Sequence, residues 1–427
     1  MTDTTAQRQP PQADEAQNRA QKALCVVTGT RAEYGLLRGV LRALQALPDV
    51  ETRLAVTGAH LAPEFGETVR EIEADGMPIA VRIPILQFGT GTALATARTV
   101  AFALSAFTDY FARTVPDAVL VLGDRYEIFA VGQAAALLNI PLIHISGGDV
   151  TRGAADDYFR HCLTKMASLH FPSCAEYARR LVCMGEAPET VHNVGGLGDE
   201  NLRCLPLLER GALAASLGFD LSRPYALVTF HPETAGGASP LAQFDELLAA
   251  LAPLPLRCIF TKANADAGGS AINERIDAVC AAQPDRYIAF TSMGVLRYLS
   301  AMKYCAAVIG NSSSGVVETP TLGVPAVNIG ARQAGRILCG NVLCCGARRA
   351  EIAQAVRTAL TPEFHAAAAR VKSPYDGGDT AQKIARIADD FLHSPNLGRP
   401  KEFYDVTADV LARMQDDEAR GAAAWNS

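Results

Sequence analysis

Short apolar runs, each closed by a glycine or a small polar cluster and followed by a stretch of helical periodicity, recur along almost the whole chain. ALCVVTG at residues 23–29 reads as a buried strand, and Thr30 to Gly35 then turn into an amphipathic helix carrying Leu36, Leu37, Val40, Leu41 and Leu44. A second strand over Arg53–Thr57 ends at Gly58 and is followed by His60. Helical patterns over Glu64–Ala74 and Thr96–Arg113 alternate with strands at Ala118–Leu122 and Pro141–Ile145. Ala154–Lys165 (AADDYFRHCLTK) opens a helix with paired acids in its first turn. Further strand signals lie at Leu169–Pro172 and Val191–Val194. Gly195-Gly196-Leu197-Gly198 lacks the spacing of a dinucleotide fingerprint and reads as the approach to a linker. After a leucine-rich helix within Asn201–Arg223 the alternation starts afresh, with strands at Tyr225–Phe230, Leu256–Thr261, Tyr287–Phe290, Ala306–Ile309 and Ala326–Ile329 and helices at Met293–Met302, Ala350–Leu360 and Thr380–Leu392.

Two rounds of this alternation predict an α/β protein of two Rossmann-like, doubly wound domains. The expected division is a disordered polar tail over 1–21, an N-terminal domain over 22–205, a C-terminal domain over 206–392 and a helical extension over 393–427 that includes the amphipathic segment Phe403–Met414. Ligands of such sheets bind beyond the carboxyl ends of the strands. Arg31, His60, Asp124, Asp149, His231, Asn264, Asp266 and Ser312 all fall there, which predicts a cleft between the domains.

Composition narrows the class. With 427 residues, 49% hydrophobic and 20% charged, the chain can bury more than one core. Its net charge of -6 excludes the basic stripe of a general nucleic-acid binder. No apolar run reaches the roughly 20 residues of a membrane span and the first residues lack a signal-peptide pattern. Eleven cysteines without a CxxC spacing read as reduced thiols, the vicinal Cys344–Cys345 as packing, and the protein as cytoplasmic.

The richest stretch is 306–336, AAVIGNSSSGVVETPTLGVPAVNIGARQAGR. A strand running through Gly310 and Asn311 into Ser312, Ser313 and Ser314 and then a helix leaves backbone N–H groups and three hydroxyls facing outward, a cradle for a phosphate. Glu318 reads either as an acceptor for two ribose hydroxyls or as a solvated first-turn carboxylate. Arg332 and Arg336 follow in a glycine-rich loop.

The set GTRAEYG (29–35), TGAHL (57–61), GDRYE (123–127), GGDVTRGAADDYFRH (147–161), TFHPET (229–234), NADAGG (264–269) and the stretch from 310 to 336 resembles the hydrolysing UDP-N-acetylglucosamine 2-epimerases of sialic acid and related nonulosonate synthesis, in order from about Leu24 to Lys383. The resemblance implies the GT-B arrangement, with UDP held mainly by the C-terminal half. It implies loss of UDP to give a glycal, hydration, and release of N-acetylmannosamine, with no metal or redox cofactor. Asp124, Asp149, Asp156, Asp157 and His231 are the expected catalytic groups. Arg31, Glu33, His60, Asn264, Asp266, Ser312, Ser313, Ser314, Glu318, Arg332 and Arg336 are the expected substrate or UDP contacts.

Each has a plainer alternative. Arg31 could be a surface arginine after a strand, and Asp124 half of a structural pair with Arg125. NADAGG could be only a turn. His161 is a weaker candidate, and His144, on the strand itself, reads as a core histidine. Family members of the sialic-acid type often carry Glu where this chain has Ser146, so either Asp149 or the Asp156/Asp157 pair takes over that role or the sugar differs, as in the related epimerases acting on UDP-N,N′-diacetylbacillosamine. A GT-B glycosyltransferase and a non-catalytic UDP-sugar-binding regulator are the readings from other classes. The non-hydrolysing epimerases show His-Arg-Arg-Glu-Asn where this chain has His231-Pro232-Glu233. The expected partners are a UDP-sugar and, as a homo-oligomer, further copies of the chain.

Overall fold

The computed structural model describes residues 20–89, 91–152, 154–233, 239–263, 268–408, 410 and 412. The tail expected over residues 1–21 lies outside them except for Ala20 and Gln21.

Two six-stranded, wholly parallel sheets form the frame. The first takes β1 (Lys22–Thr28), β2 (Val50–Thr57), β3 (Ile79–Ile83), β4 (Ala118–Leu122), β5 (Leu142–Ile145) and β6 (Leu169–Phe171) in the order β3-β2-β1-β4-β5-β6. The second takes β7 (Tyr225–Thr229), β8 (Arg257–Thr261), β9 (Tyr287–Phe290), β10 (Ala307–Gly310), β11 (Ala326–Ile329) and β12 (Val342–Cys345) in the order β12-β11-β10-β7-β8-β9. The predicted pair of doubly wound domains is therefore present. Strands buried on both faces read as continuous apolar runs, and β4 and β7 are buried at every residue. Each sheet reverses its winding once, between β1 and β4 and between β7 and β10, which places a ligand crevice at those carboxyl ends. Gly310 keeps the second crevice tight: at φ 139, a Cβ there would fall 1.9 Å from the Thr229 carbonyl oxygen.

The fold departs from the sequence reading at several places. The edge strands β3 and β12 were not predicted, and β12 carries the vicinal cysteines, which are free thiols. Val191–Val194 makes one isolated bridge, His170 with Val191, and is not a strand. The glycine-rich 195–198 stretch is no linker, because a helix over Leu197–Cys204 opens on it directly, followed by a second short helix over Arg210–Leu217. The Thr380–Leu392 helix, expected with the C-terminal domain, instead buries Ala381, Ile384, Ala385, Ala388 and Leu392 in the core of the first sheet, against Leu37, Leu41 and Leu44. Its strong apolar stripe specified a buried face but not which sheet receives it.

Residues 401–407 are not helical, so the amphipathic segment expected over Phe403–Met414 starts late, and of its described residues 408, 410 and 412 are helical. Residues 401–407 form a strap. Lys401 Nζ donates to the carbonyls of Thr164 (3.0 Å), Lys165 (3.1 Å) and Ala167 (2.7 Å), capping the Asp156–Met166 helix. It also pairs with the buried Glu186, which accepts from Lys165 at 2.7 Å and lies 2.9 Å from His170.

Candidate active site

Beyond β1, Thr30 caps the Arg31–Gln45 helix and Glu33 completes the capping box. Glu33 accepts from the amides of Gly29 (2.6 Å) and Thr30 (3.2 Å) and is buried. Burial, with the neighbouring Glu127 carboxylate, pushes its carboxyl up to about 8. Glu33 thus shapes the loop that presents Arg31 through its Oε2. His60 serves the same loop. Fully buried, it is hydrogen-bonded to Thr28 (3.0 Å) and Thr68 (2.8 Å), and burial lowers it to about 4. The sequence reading placed Glu33 and His60 against substrate; both are buried and hydrogen-bonded within this loop, with Glu33 Oε1 left without a donor.

Arg31 opens onto a cavity of about 530 Å³ between the two sheets. Thr229, His231, Thr261, Ser312, Ser313, Ser314, Tyr298 and Glu318 line its far side, and Gly198 and Asn201 part of the rest. Arg31 Nη2 donates to the Lys262 carbonyl at 3.4 Å, while Nη1 is buried without an acceptor. A desolvated guanidinium with an unused N–H is a prepared anion site. Across from it, the serine turn leaves β10, and its helical hydrogen bonding begins only at Gly315, whose N–H donates to the Ser312 carbonyl. The predicted single helix here is two short ones, Ser314–Val317 and Thr319–Leu322, because Pro320 begins the second. Glu318 lies at their junction. Asn311 holds the turn to β7, donating to the His231 carbonyl (2.8 Å) and accepting from its amide (2.7 Å).

A second cluster adjoins this one beyond β4 and β5. Arg160, buried on the Asp156–Met166 helix, donates to Asp124, to the Asp149 carbonyl (2.9 Å), to Thr151 Oγ1 (3.0 Å) and to Asp157 (3.3 Å). Asp124 therefore pairs with Arg160 and not with its neighbour Arg125, which turns onto Glu127 at 3.2 Å. Asp149 is 3.0 Å from Arg336, and Asp156 is 3.6 Å from Arg332, so two ion pairs join the domains. Both arginines, expected on the diphosphate, are engaged with carboxylates. Asp157 also accepts from the Thr151 amide, which makes it a support for Arg160. His144 is fully buried, 2.7 Å from the Gly123 carbonyl, and lowered to about 4 by burial, a core histidine as read. His161 is half-buried, 3.9 Å from Asp157.

The two central acids differ in protonation. Burial would raise Asp124, but the guanidiniums of Arg160, Arg336 and Arg332 together outweigh it and hold the carboxyl below its usual range. Burial raises Asp149 further than Arg336 and Arg160 lower it, and the Asp124 charge adds to the rise. One carboxylate is thus kept ionised and its neighbour inclined to hold a proton, the arrangement that acid–base chemistry needs. Among the described residues no group of three or more His, Cys, Asp and Glu side chains could hold a metal ion. No described helix is long and apolar enough to cross a membrane. Asn264 and Asp266 lie outside the described residues. Arg160 and Tyr298 went unnoticed in the sequence; the acid three positions before Arg160 was the available signal.

Comparison with known proteins bears on the family and the fold. The family model described as UDP-N-acetylglucosamine 2-epimerase matches residues 42–389. The polysialic acid biosynthesis protein P7 of Escherichia coli is 38% identical over 387 residues, 90% of this chain and 98% of that protein. A GDP/UDP-N,N'-diacetylbacillosamine 2-epimerase (hydrolyzing) of Campylobacter jejuni is 39% identical over 325 residues, 76% of this chain and 84% of that one. The crystal structure of a UDP-GlcNAc 2-epimerase from Neisseria meningitidis bound to UDP-GlcNAc has the same fold, with a TM-score of 0.71 at 17% identity over 86% of this chain and 100% of that one.

Proposed function

Because the chain belongs to the UDP-N-acetylglucosamine 2-epimerase family, we propose that it is a hydrolysing UDP-sugar 2-epimerase, converting UDP-N-acetylglucosamine and water to N-acetylmannosamine and UDP for sialic acid or related nonulosonate synthesis. The observation that carries the reading is the pairing of an anion-ready cavity, walled by Arg31 and the Ser312–Ser314 turn, with an adjoining cluster of buried carboxylates. Diphosphate leaves from C1 into the cavity, where Arg31 and the serine turn neutralise its charge. Asp124, kept ionised, takes the C2 proton as the C1–O bond breaks. Asp149 then gives its proton to the other face of C2 while water adds at C1 and passes its own proton to the Asp149 carboxylate, and Asp124 returns its proton to solvent, with Asp156 and His231 close to the reacting atoms. Glu318 accepts from the ribose hydroxyls, and a homo-oligomer completes the proposal.

The diacetylbacillosamine relative and the serine at position 146 support a second reading, the same reaction on UDP-N,N′-diacetylbacillosamine. An NMR time course in D₂O with both UDP-sugars and no acceptor tests both readings. Free 2-epimerised sugar carrying deuterium at C2 is expected, and the faster substrate identifies the sugar. Release of the sugar without C2 deuterium, or no release from either, overturns the proposal.

A further inference from the structure

The wall of the cavity behind Glu318 contains a second acid that the reaction above does not use. Gly198, on the Leu197–Cys204 helix, lies so close to Glu318 that a Cβ there would fall 2.5 Å from Oε1, so only glycine admits the approach. The next residue, Asp199, is fully buried, and its Oδ2 accepts from the Ser373 hydroxyl at 2.6 Å. Asp199 Oδ1 and Glu318 Oε2 are each buried with no donor. The nearby guanidiniums are engaged elsewhere, Arg203 with Asp376 and Arg336 with Asp149. The other groups facing the pair are the Thr321 hydroxyl beside Asp199, the Ser314 and Tyr298 hydroxyls and the Cys339 thiol, and the Arg336 charge favours an ionised Glu318 through space. Two buried carboxyls with no bonded cation and an unused oxygen apiece cannot both stay ionised.

We propose that Asp199 is a positioning residue: with Glu318 it forms an acid pair that keeps one proton in the free protein and releases it to solvent when the 2′- and 3′-hydroxyls of a ribonucleoside diphosphate donate to Glu318. The inference rests on the reading that Glu318 faces the ribose. Burial, and then the Asp199 charge, push the Glu318 carboxyl up to about 7, and burial raises Asp199 as well. A diol donates to the ionised form of Glu318, and the diphosphate charge is met by Arg31 and the serine turn. The sign follows: binding lowers a raised carboxyl, so a proton leaves and affinity rises with pH up to about 7, then levels.

Calorimetry of UDP binding to the full chain, in buffers of low and high ionisation enthalpy, counts the protons. At pH 7 the wild type should release about 0.5 proton more than Glu318→Gln, the nucleotide's own titration being common to both, and the excess should vanish near pH 9. In Asp199→Asn the excess should shrink, and the pH at which affinity levels should move lower by about one unit. A support that merely held the helix in place would weaken binding equally at every pH, and that result overturns the inference. Equal proton counts in wild type and Glu318→Gln overturn it too, without recourse to the Asp199 variant. Failure of UDP to bind the wild type overturns the nucleotide reading itself, and the inference with it.

Discussion

The cavity and the carboxylate cluster lie side by side, yet they use their arginines in opposite ways. Arg160 is spent: each of its bonds holds an acid, a carbonyl or a hydroxyl of the fold. Arg31 keeps a buried N–H with no acceptor. A guanidinium is costly to desolvate, so one that is fully paired stabilises the fold, while one left unpaired is a reserve for a ligand. The contrast separates the half of the site that is organised without substrate from the half that a ligand completes.

The largest test of this contrast is stability. Arg160→Met should cost about 3–5 kcal/mol by stranding Asp124 and Asp157, whereas Arg31→Met should cost less than about 1 kcal/mol or stabilise the protein. Urea denaturation of the two variants compares them directly, and equal losses would erase the distinction. Chemistry gives the next effect. Asp124→Asn should lower kcat by about 10²-fold or more while UDP affinity stays nearly intact, since the acid belongs to the paired cluster. Asp149→Asn should act in the same direction. A fully active Asp124→Asn enzyme would remove the cluster from the mechanism.

Affinity sharpens the other side. Arg31→Ala and Ser313→Ala should each weaken UDP binding by roughly 1–3 kcal/mol in calorimetry. Arg332→Ala should weaken it less, because that arginine lies against Asp156. If Arg332 proves the strongest contact, the ion pairs between the domains must exchange on binding. The smallest effect is on pH. His60 stands behind the Arg31 loop and His144 beneath Gly123, each buried and lowered to about 4. Their stabilising effect is complete above about pH 6.5 and is lost as pH falls toward 4, because the unfolded chain takes up protons that the fold refuses. Each should contribute a loss of about 1 kcal/mol at pH 5.5 relative to pH 7.5, read as the difference in urea midpoint between wild type and its His60→Asn or His144→Asn variant, because the raised carboxyls of Glu33 and Glu318 act in the opposite direction in both.

Much of this was legible in the chain. Strand ends punctuated by glycine placed Arg31, Asp124, His231 and Ser312 along two crevices, because a parallel sheet forces its chemistry to one edge. Partners were less legible. Asp124 is followed by Arg125, and adjacency suggested a pair, but Arg125 turns onto Glu127 and the distant Arg160 takes the acid. Glu33 and His60 have the residue types of ligands, and only the loop geometry shows Glu33 holding Gly29 and Thr30 and His60 bonded to Thr28 and Thr68. The edge strands β3 and β12 are no shorter than the predicted β6, but they are only partly buried and so lack the uniformly buried run that marked the others.

The Thr380–Leu392 helix has a consequence for how the protein is made. The first sheet emerges from the ribosome early, but much of the apolar face over Leu37, Leu41 and Leu44 is covered by a helix that is synthesised after the entire second sheet. At the usual pace of translation that delay is on the order of 10 s or more, during which the first domain carries an open groove. Its Lys401 clasp closes later still. The N-terminal half is thus begun first and finished last, and a chain cut short after the second sheet would lose part of the core of the first.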